Sequence, residues 1–102
     1  MLTITAIIRA LQGHEKTMSD ALCAVADHVR RNEPETLGFF VSQDLADPCV
    51  FTTYERFADQ AAMDRHNQSD AVARFFGIAK PILAGEVTLV TCREICNRDA
   101  GD

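Results

Sequence analysis

The chain has 102 residues, 47% of them hydrophobic and 25% charged, which describes one globular domain rather than a disordered segment. Its 15 acidic and 10 basic residues leave a net charge of −5. A nucleic acid or an anionic membrane is therefore not the expected partner, because both are bound through a basic patch.

The chain opens with an alternating run rich in Ile and Thr, Leu2 to Ala10, which predicts a strand. That run lacks a basic lead-in and is broken by Thr3 and Thr5, so it reads as neither a signal peptide nor a membrane span. Gly13 breaks the strand. From His14, residues Met18, Ala21, Leu22, Val25 and Val29 recur at i, i+3, i+4, i+7 and i+11, the stripe of an amphipathic helix that Pro34 ends.

Leu37 to Asp44 and Cys49 to Phe57 are two further β-patterned runs, joined by the turn Asp44-Leu45-Ala46-Asp47-Pro48 into a hairpin. Asp59 can cap a short helix reaching about His66. Ser69 can cap a second one that carries Ala71, Val72, Phe75, Phe76 and Ile78 on its apolar side until Pro81. Gly85 precedes a last strand, Glu86 to Cys96, and residues 97–102 form a polar tail expected to fray.

The predicted order is β-α-β-β-α-β with the second helical region in two pieces, which is an α+β, ferredoxin-like domain over residues 1–96 with a four-stranded antiparallel sheet. In that fold both helices cover one face of the sheet. Here neither face is polar: Ile4, Ala6 and Ile8 oppose Ile7, and Leu37, Phe39 and Val41 oppose Phe40. Val87 and Leu89 likewise oppose Val90 and Cys92. A bare apolar face favours association, so a homodimer formed sheet against sheet is expected.

Four cysteines stand at Cys23, Cys49, Cys92 and Cys96. In an extended strand Cys92 and Cys96 would lie roughly 13 Å apart, too far for a disulfide. No Cys-x-x-Cys pair occurs and the three histidines are scattered, so the expectation is four free thiols in a cytoplasmic protein without a metal site.

The segment Tyr54 to Phe75 resembles the antibiotic biosynthesis monooxygenase family, whose sequences there read YE-x-W-x-D-x-x-A-L-x-x-H-x-x-S-x-H-F. The matching residues are Tyr54, Glu55, Asp59, Ala62, His66 and Ser69. Upstream, Arg9 with the Gly13 turn, Glu33-Pro34-Glu35-Thr36-Leu37, Gln43-Asp44 and Asp47-Pro48 extend the likeness over residues 2 to 96. The resemblance implies a dimeric α/β barrel with a pocket between sheet and helices. It also implies oxygenation of a small aromatic or quinol-like substrate with no cofactor. Three departures qualify it. The Trp of the motif is Phe57 in a chain with no Trp, so the haem-degrading branch of the family, which relies on a Trp, is disfavoured. The Asn, Trp and Tyr of the polyphenol branch correspond to Thr53, Phe57 and Met63, and the second histidine to Ala71.

His66 is the candidate general acid or base, because an imidazole titrates near neutrality. Glu55 shares a strand face with Phe51, Thr53 and Phe57, from which it could orient His66 or raise its pKa. The expected substrate-binding set is Thr53, Phe51, Phe57 and Met63. Thr53 could bond a substrate hydroxyl, Phe51 and Phe57 are core first and pocket wall second, and Met63 packs in the core. Tyr54 points to the opposite face, toward the dimer partner. Arg9, His14 and His28 read as solvated. Two rival functions remain open: an isomerase or hydrolase of a small metabolite on the same fold, or a dimeric binding protein without catalysis.

Overall fold

The computed structural model describes residues 1–99; the last three residues of the predicted tail lie outside them. In chain order the elements are β1 (Leu2–Arg9), α1 (Glu15–Asn32), β2 (Thr36–Gln43), β3 (Val50–Phe57), α2 (Gln60–Asn67), α3 (Asp70–Ala79) and β4 (Thr88–Arg93), with a 3₁₀ turn at Lys80–Ile82. The strands form one antiparallel sheet in the order β2-β3-β1-β4. This is the α+β, ferredoxin-like arrangement that the sequence predicts.

Local chemistry explains the boundaries. Gly13, at φ +91°, makes the left-handed turn before α1 that an L side chain would strain. Met18, Ala21, Leu22, Val25 and Val29 are the buried stripe of α1. The helix ends where the N–H of Glu33 bonds the Val29 carbonyl and the N–H of Thr36 closes a turn onto the Glu33 carbonyl, around Pro34. Asp59 caps α2 by accepting from the Ala62 N–H at 2.9 Å, and Ser69 caps α3 by accepting from the Val72 N–H at 3.2 Å. Two caps ten residues apart are what split the second helical region.

The helices lie on one face of the sheet. Ile4, Ala6 and Ile8 of β1 and Phe51, Thr53, Glu55 and Phe57 of β3 are buried beneath them. The larger core joins the α1 stripe to Ile8, Phe51, Phe75, Ala79 and Ile82, and a smaller one under α2 joins Ile4, Phe57, Ala62 and Met63. Phe51 and Phe57 are fully enclosed, each contributing about 1.5–3 kcal/mol of transfer free energy.

Four details depart from expectation. Leu37 does not share the face of Phe39 and Val41: it is the extra residue of a bulge between Thr36 and Gly38, and it is 51% exposed. The last strand is shorter than Glu86 to Cys96. Beyond Ile7, the Arg9 carbonyl is taken by the Ala84 N–H and Ala10 bridges Leu83, so residues 86 and 87 find no ladder partner on β1. Leu89 sits opposite Ala6 on the helix-facing side yet is exposed, because the helical layer stops short of β4. In α3, Ala71, Phe75 and Ala79 are the buried residues, while Phe76 and Ile78 are largely exposed.

On the other face, Phe40, Tyr54, Thr5 and Val90 form one cross-strand row, with Ile7 in the next. Phe40 is 58% exposed and stacks on Tyr54 with ring centroids 6.3 Å apart. No element among the described residues covers this row. No helix among them is long and apolar enough to cross a membrane.

Candidate acid–base site

The site grows from three elements. On β3, period-two alternation places Thr53 and Glu55 side by side on the helix-facing surface, where the Thr53 hydroxyl donates to Glu55 Oε2 at 2.7 Å. On α2, Ala62, Met63 and His66 occupy the buried side of the helix, so the Asp59 cap also sets where the imidazole falls. From the C-terminal end of α1 comes Glu33, held by the turn around Pro34.

His66 is 3% exposed and sits between two carboxylates. Its Nδ1 lies 2.9 Å from Glu33 Oε1 and its Nε2 lies 3.3 Å from Glu55 Oε1. The rings of Phe39 and Phe57 tilt against the imidazole at 5.4 and 5.3 Å. Burial pushes the imidazole toward neutrality. The hydrogen bonds to Glu55 and Glu33 and the charges of both outweigh it, so the His66 pKa stands above the ordinary histidine value.

Glu33 is itself held. Its Oε1 accepts the Thr36 hydroxyl at 2.8 Å. Its Oε2 is buried without an aligned hydrogen bond, although His28 Nε2 approaches to 3.2 Å. Asn32 Nδ2 in turn lies 3.2 Å from His28 Nδ1.

A cavity of about 70 Å³ opens beside this cluster, lined by Thr53, Glu55, His66 and Asn67 on the polar side and by apolar side chains including Phe39, Phe75 and Val87. A second cleft, about 230 Å³, lies on the far side of Glu33 and is lined by His28, Thr36, Arg65 and Ser69 among others. Glu33 and His66 therefore stand in the wall between the two.

Of the residues singled out in the sequence, Thr53, Glu55 and His66 meet at the inner cavity. Phe51, Phe57 and Met63 do not line it: Phe51 belongs to the main core, and Phe57 and Met63 pack under α2. Phe57 still touches the site through the His66 ring. Arg9 and His14 are exposed. His28 is not fully solvated as expected; its side chain is only 30% exposed because it turns toward Glu33. Glu33, Thr36 and Phe39 were not among the site residues expected from the sequence. The one hint was that Glu33 opens the Glu-Pro-x-x-Leu stretch. Among the described residues no cluster of three or more His, Cys, Asp or Glu side chains is placed to hold a metal ion, and all four cysteines are free thiols.

Such an arrangement can take a proton from, or give one to, a group placed in the inner cavity. It groups the imidazole and carboxylate with Thr53 and Asn67 on one side and hydrocarbon on the other, which suits an apolar molecule with one polar terminus.

Comparison with known proteins agrees with the motif. The chain aligns over 94% of its length with all of a crystal structure described as an antibiotic biosynthesis monooxygenase, at 21% identity and a TM-score of 0.85. A Pseudomonas aeruginosa protein of known structure is 27% identical, with 93% of this chain and 94% of that one covered and a TM-score of 0.84. A Deinococcus radiodurans protein, described as a candidate antibiotic biosynthesis monooxygenase, covers both chains completely at 19% identity and a TM-score of 0.86. A search of curated proteins finds no match. The family model for antibiotic biosynthesis monooxygenase matches residues 1–77, three quarters of the chain. The chain belongs to the antibiotic biosynthesis monooxygenase family.

Proposed function

We propose that the protein is a cofactor-independent monooxygenase of a small aromatic, quinol-like molecule, with His66 as the acid–base group and Glu55 as its carboxylate partner. The observation that carries this reading is the approach of His66 Nε2 to Glu55 Oε1, 3.3 Å, on the polar side of a cavity whose remaining wall is apolar. An electron-rich phenol or anthrone-type substrate loses a proton to the imidazole. The resulting anion passes one electron to O₂, and the two radicals combine as a peroxide. The peroxide takes the proton back and breaks down to a new carbonyl and water, so that one oxygen atom enters the product. The chain supplies the base, a stabilised proton and a dry surrounding.

One observation favours a second reading. The inner cavity, about 70 Å³, is well below the few hundred Å³ of sites that enclose larger ligands. An isomerase or hydrolase of a smaller metabolite, using His66 and Glu55 without O₂, fits that volume. Oxygen-electrode assays with dihydroxynaphthalenes and anthrones separate the two. Substrate-dependent O₂ uptake that falls about 10²–10⁴-fold in His66→Ala is the expected result. Product without O₂ uptake replaces it with the second reading. Tight binding with no turnover makes the protein a binding module.

The reading includes a homodimer joined through the Phe40–Tyr54–Thr5–Val90 row, and a cytoplasmic setting, in keeping with four free thiols.

A further inference from the structure

We propose that Glu33 is the positioning residue of this site: it fixes neutral His66 as the Nδ1–H tautomer and leaves Nε2 bare toward Glu55 and the inner cavity. The proposal rests on the reading of His66 as the acid–base group, and it names the residue that sets which nitrogen does the work.

The geometry is asymmetric. The Nδ1 contact to Glu33 is 2.9 Å, whereas the Nε2 contact to Glu55 is 3.3 Å. A neutral imidazole has one N–H and one lone pair. With the proton on Nε2, the Nδ1 lone pair would press on a carboxylate oxygen at the shorter distance, inside a buried setting where that repulsion is poorly screened. With the proton on Nδ1, the short contact becomes a charge-assisted hydrogen bond and the lone pair meets the longer one.

The two carboxylates are also differently anchored. Glu33 Oε1 is pinned by the Thr36 hydroxyl at 2.8 Å, on a turn fixed by Pro34. Glu55 takes its short hydrogen bond from the Thr53 hydroxyl, at 2.7 Å on Oε2, and meets His66 only through the longer contact at Oε1. The Phe39 and Phe57 rings, both packed against the imidazole, resist its rotation.

The groups facing the ring are Glu33 from α1 and Glu55 from β3. His28 meets Glu33 Oε2 from α1 at 3.2 Å, and Arg65, beside His66 on α2, is engaged by Glu35. Toward the cavity α3 presents Val72, Phe75 and Phe76, which carry no charge. In the reaction, Nε2 accepts the substrate proton, the imidazolium charge rests between the two carboxylates, and the same Nε2 returns the proton to the peroxide oxygen.

The test is the imidazole nitrogen spectrum of the ¹⁵N-labelled full chain, followed from about pH 5 to about pH 9, with the His66 signals assigned by their loss in His66→Gln. The expected result is a neutral His66 protonated at Nδ1. In Glu33→Gln its titration midpoint should fall by about one pH unit or more, and its neutral proton should move to Nε2. A wild-type His66 protonated at Nε2 overturns the proposal, and that measurement stands even if Glu33→Gln fails to fold. A folded Glu33→Gln with midpoint and tautomer unchanged overturns it as well. Absence of O₂ uptake by the wild-type chain removes the monooxygenase reading but leaves these spectra as they are, so the two failures are distinguishable.

Discussion

A histidine gripped by two carboxylates ties the stability of the fold to pH. Burial alone would favour the neutral ring, but Glu55 and Glu33 raise the folded-state pKa of His66 above its unfolded value of about 6.5. The folded state therefore holds the proton more tightly than the unfolded chain. The sign follows: this contribution is complete below the unfolded pKa and is lost as pH rises through the folded one. Urea midpoints of the wild type and His66→Gln, compared across that range, should show the wild-type advantage shrinking toward alkaline pH. A pH-independent gap would mean that His66 acts on stability through packing alone. His66 was legible in the sequence as the histidine of the family motif and Glu55 from the two-residue period of a strand. Glu33 was not. Its contact with His66 spans 33 residues and depends on how the end of α1 folds over α2, which no periodicity encodes. His28 was misjudged for the same reason, since only its approach to Glu33 turns it inward.

At the scale of elements, the site depends on α2, an eight-residue helix too short to persist on its own. Its position comes from Ala62, Met63 and His66 packing on the sheet and from the Asp59 cap. Asp59→Ala should destabilise the protein by about 1 kcal/mol, a fall of about 4–8 °C in melting temperature for a domain of this size. Calorimetry checks it; an unchanged melting temperature would show that packing alone holds the helix. Every helix and strand was legible from caps, breakers and period, including the two-piece second helical region. What escaped was the bulge that displaces Leu37 and the true extent of β4. Both are set by pairing with another strand: Thr36 and Gly38 oppose consecutive residues of β3, and Ala84 occupies the Arg9 carbonyl that a longer β4 would have needed.

For the molecule as a whole, the helices protect one face of the sheet and leave the other with Phe40, Tyr54, Thr5 and Val90 in a single row. The apolar side chains that the second face carries, Ile7, Phe40 and Val90 among them, could be read from strand alternation. A second copy meeting that row is the expected remedy. Sedimentation at micromolar concentration should give a dimer for the wild type and a monomer for Phe40→Asp/Tyr54→Asp, whose charges would be buried without partners. A wild-type monomer would remove the dimer.

The bulge at Leu37 has a consequence of another kind. β2 is an outer strand of the sheet, so one row of its backbone N–H and carbonyl groups faces outward as a ready template for a stray chain. An inserted residue breaks the even spacing of that row and increases the local twist, so an incoming segment cannot pair along its full length. The residue that fails to reach the core thereby confines the evenly spaced part of that outer edge to Gly38–Gln43.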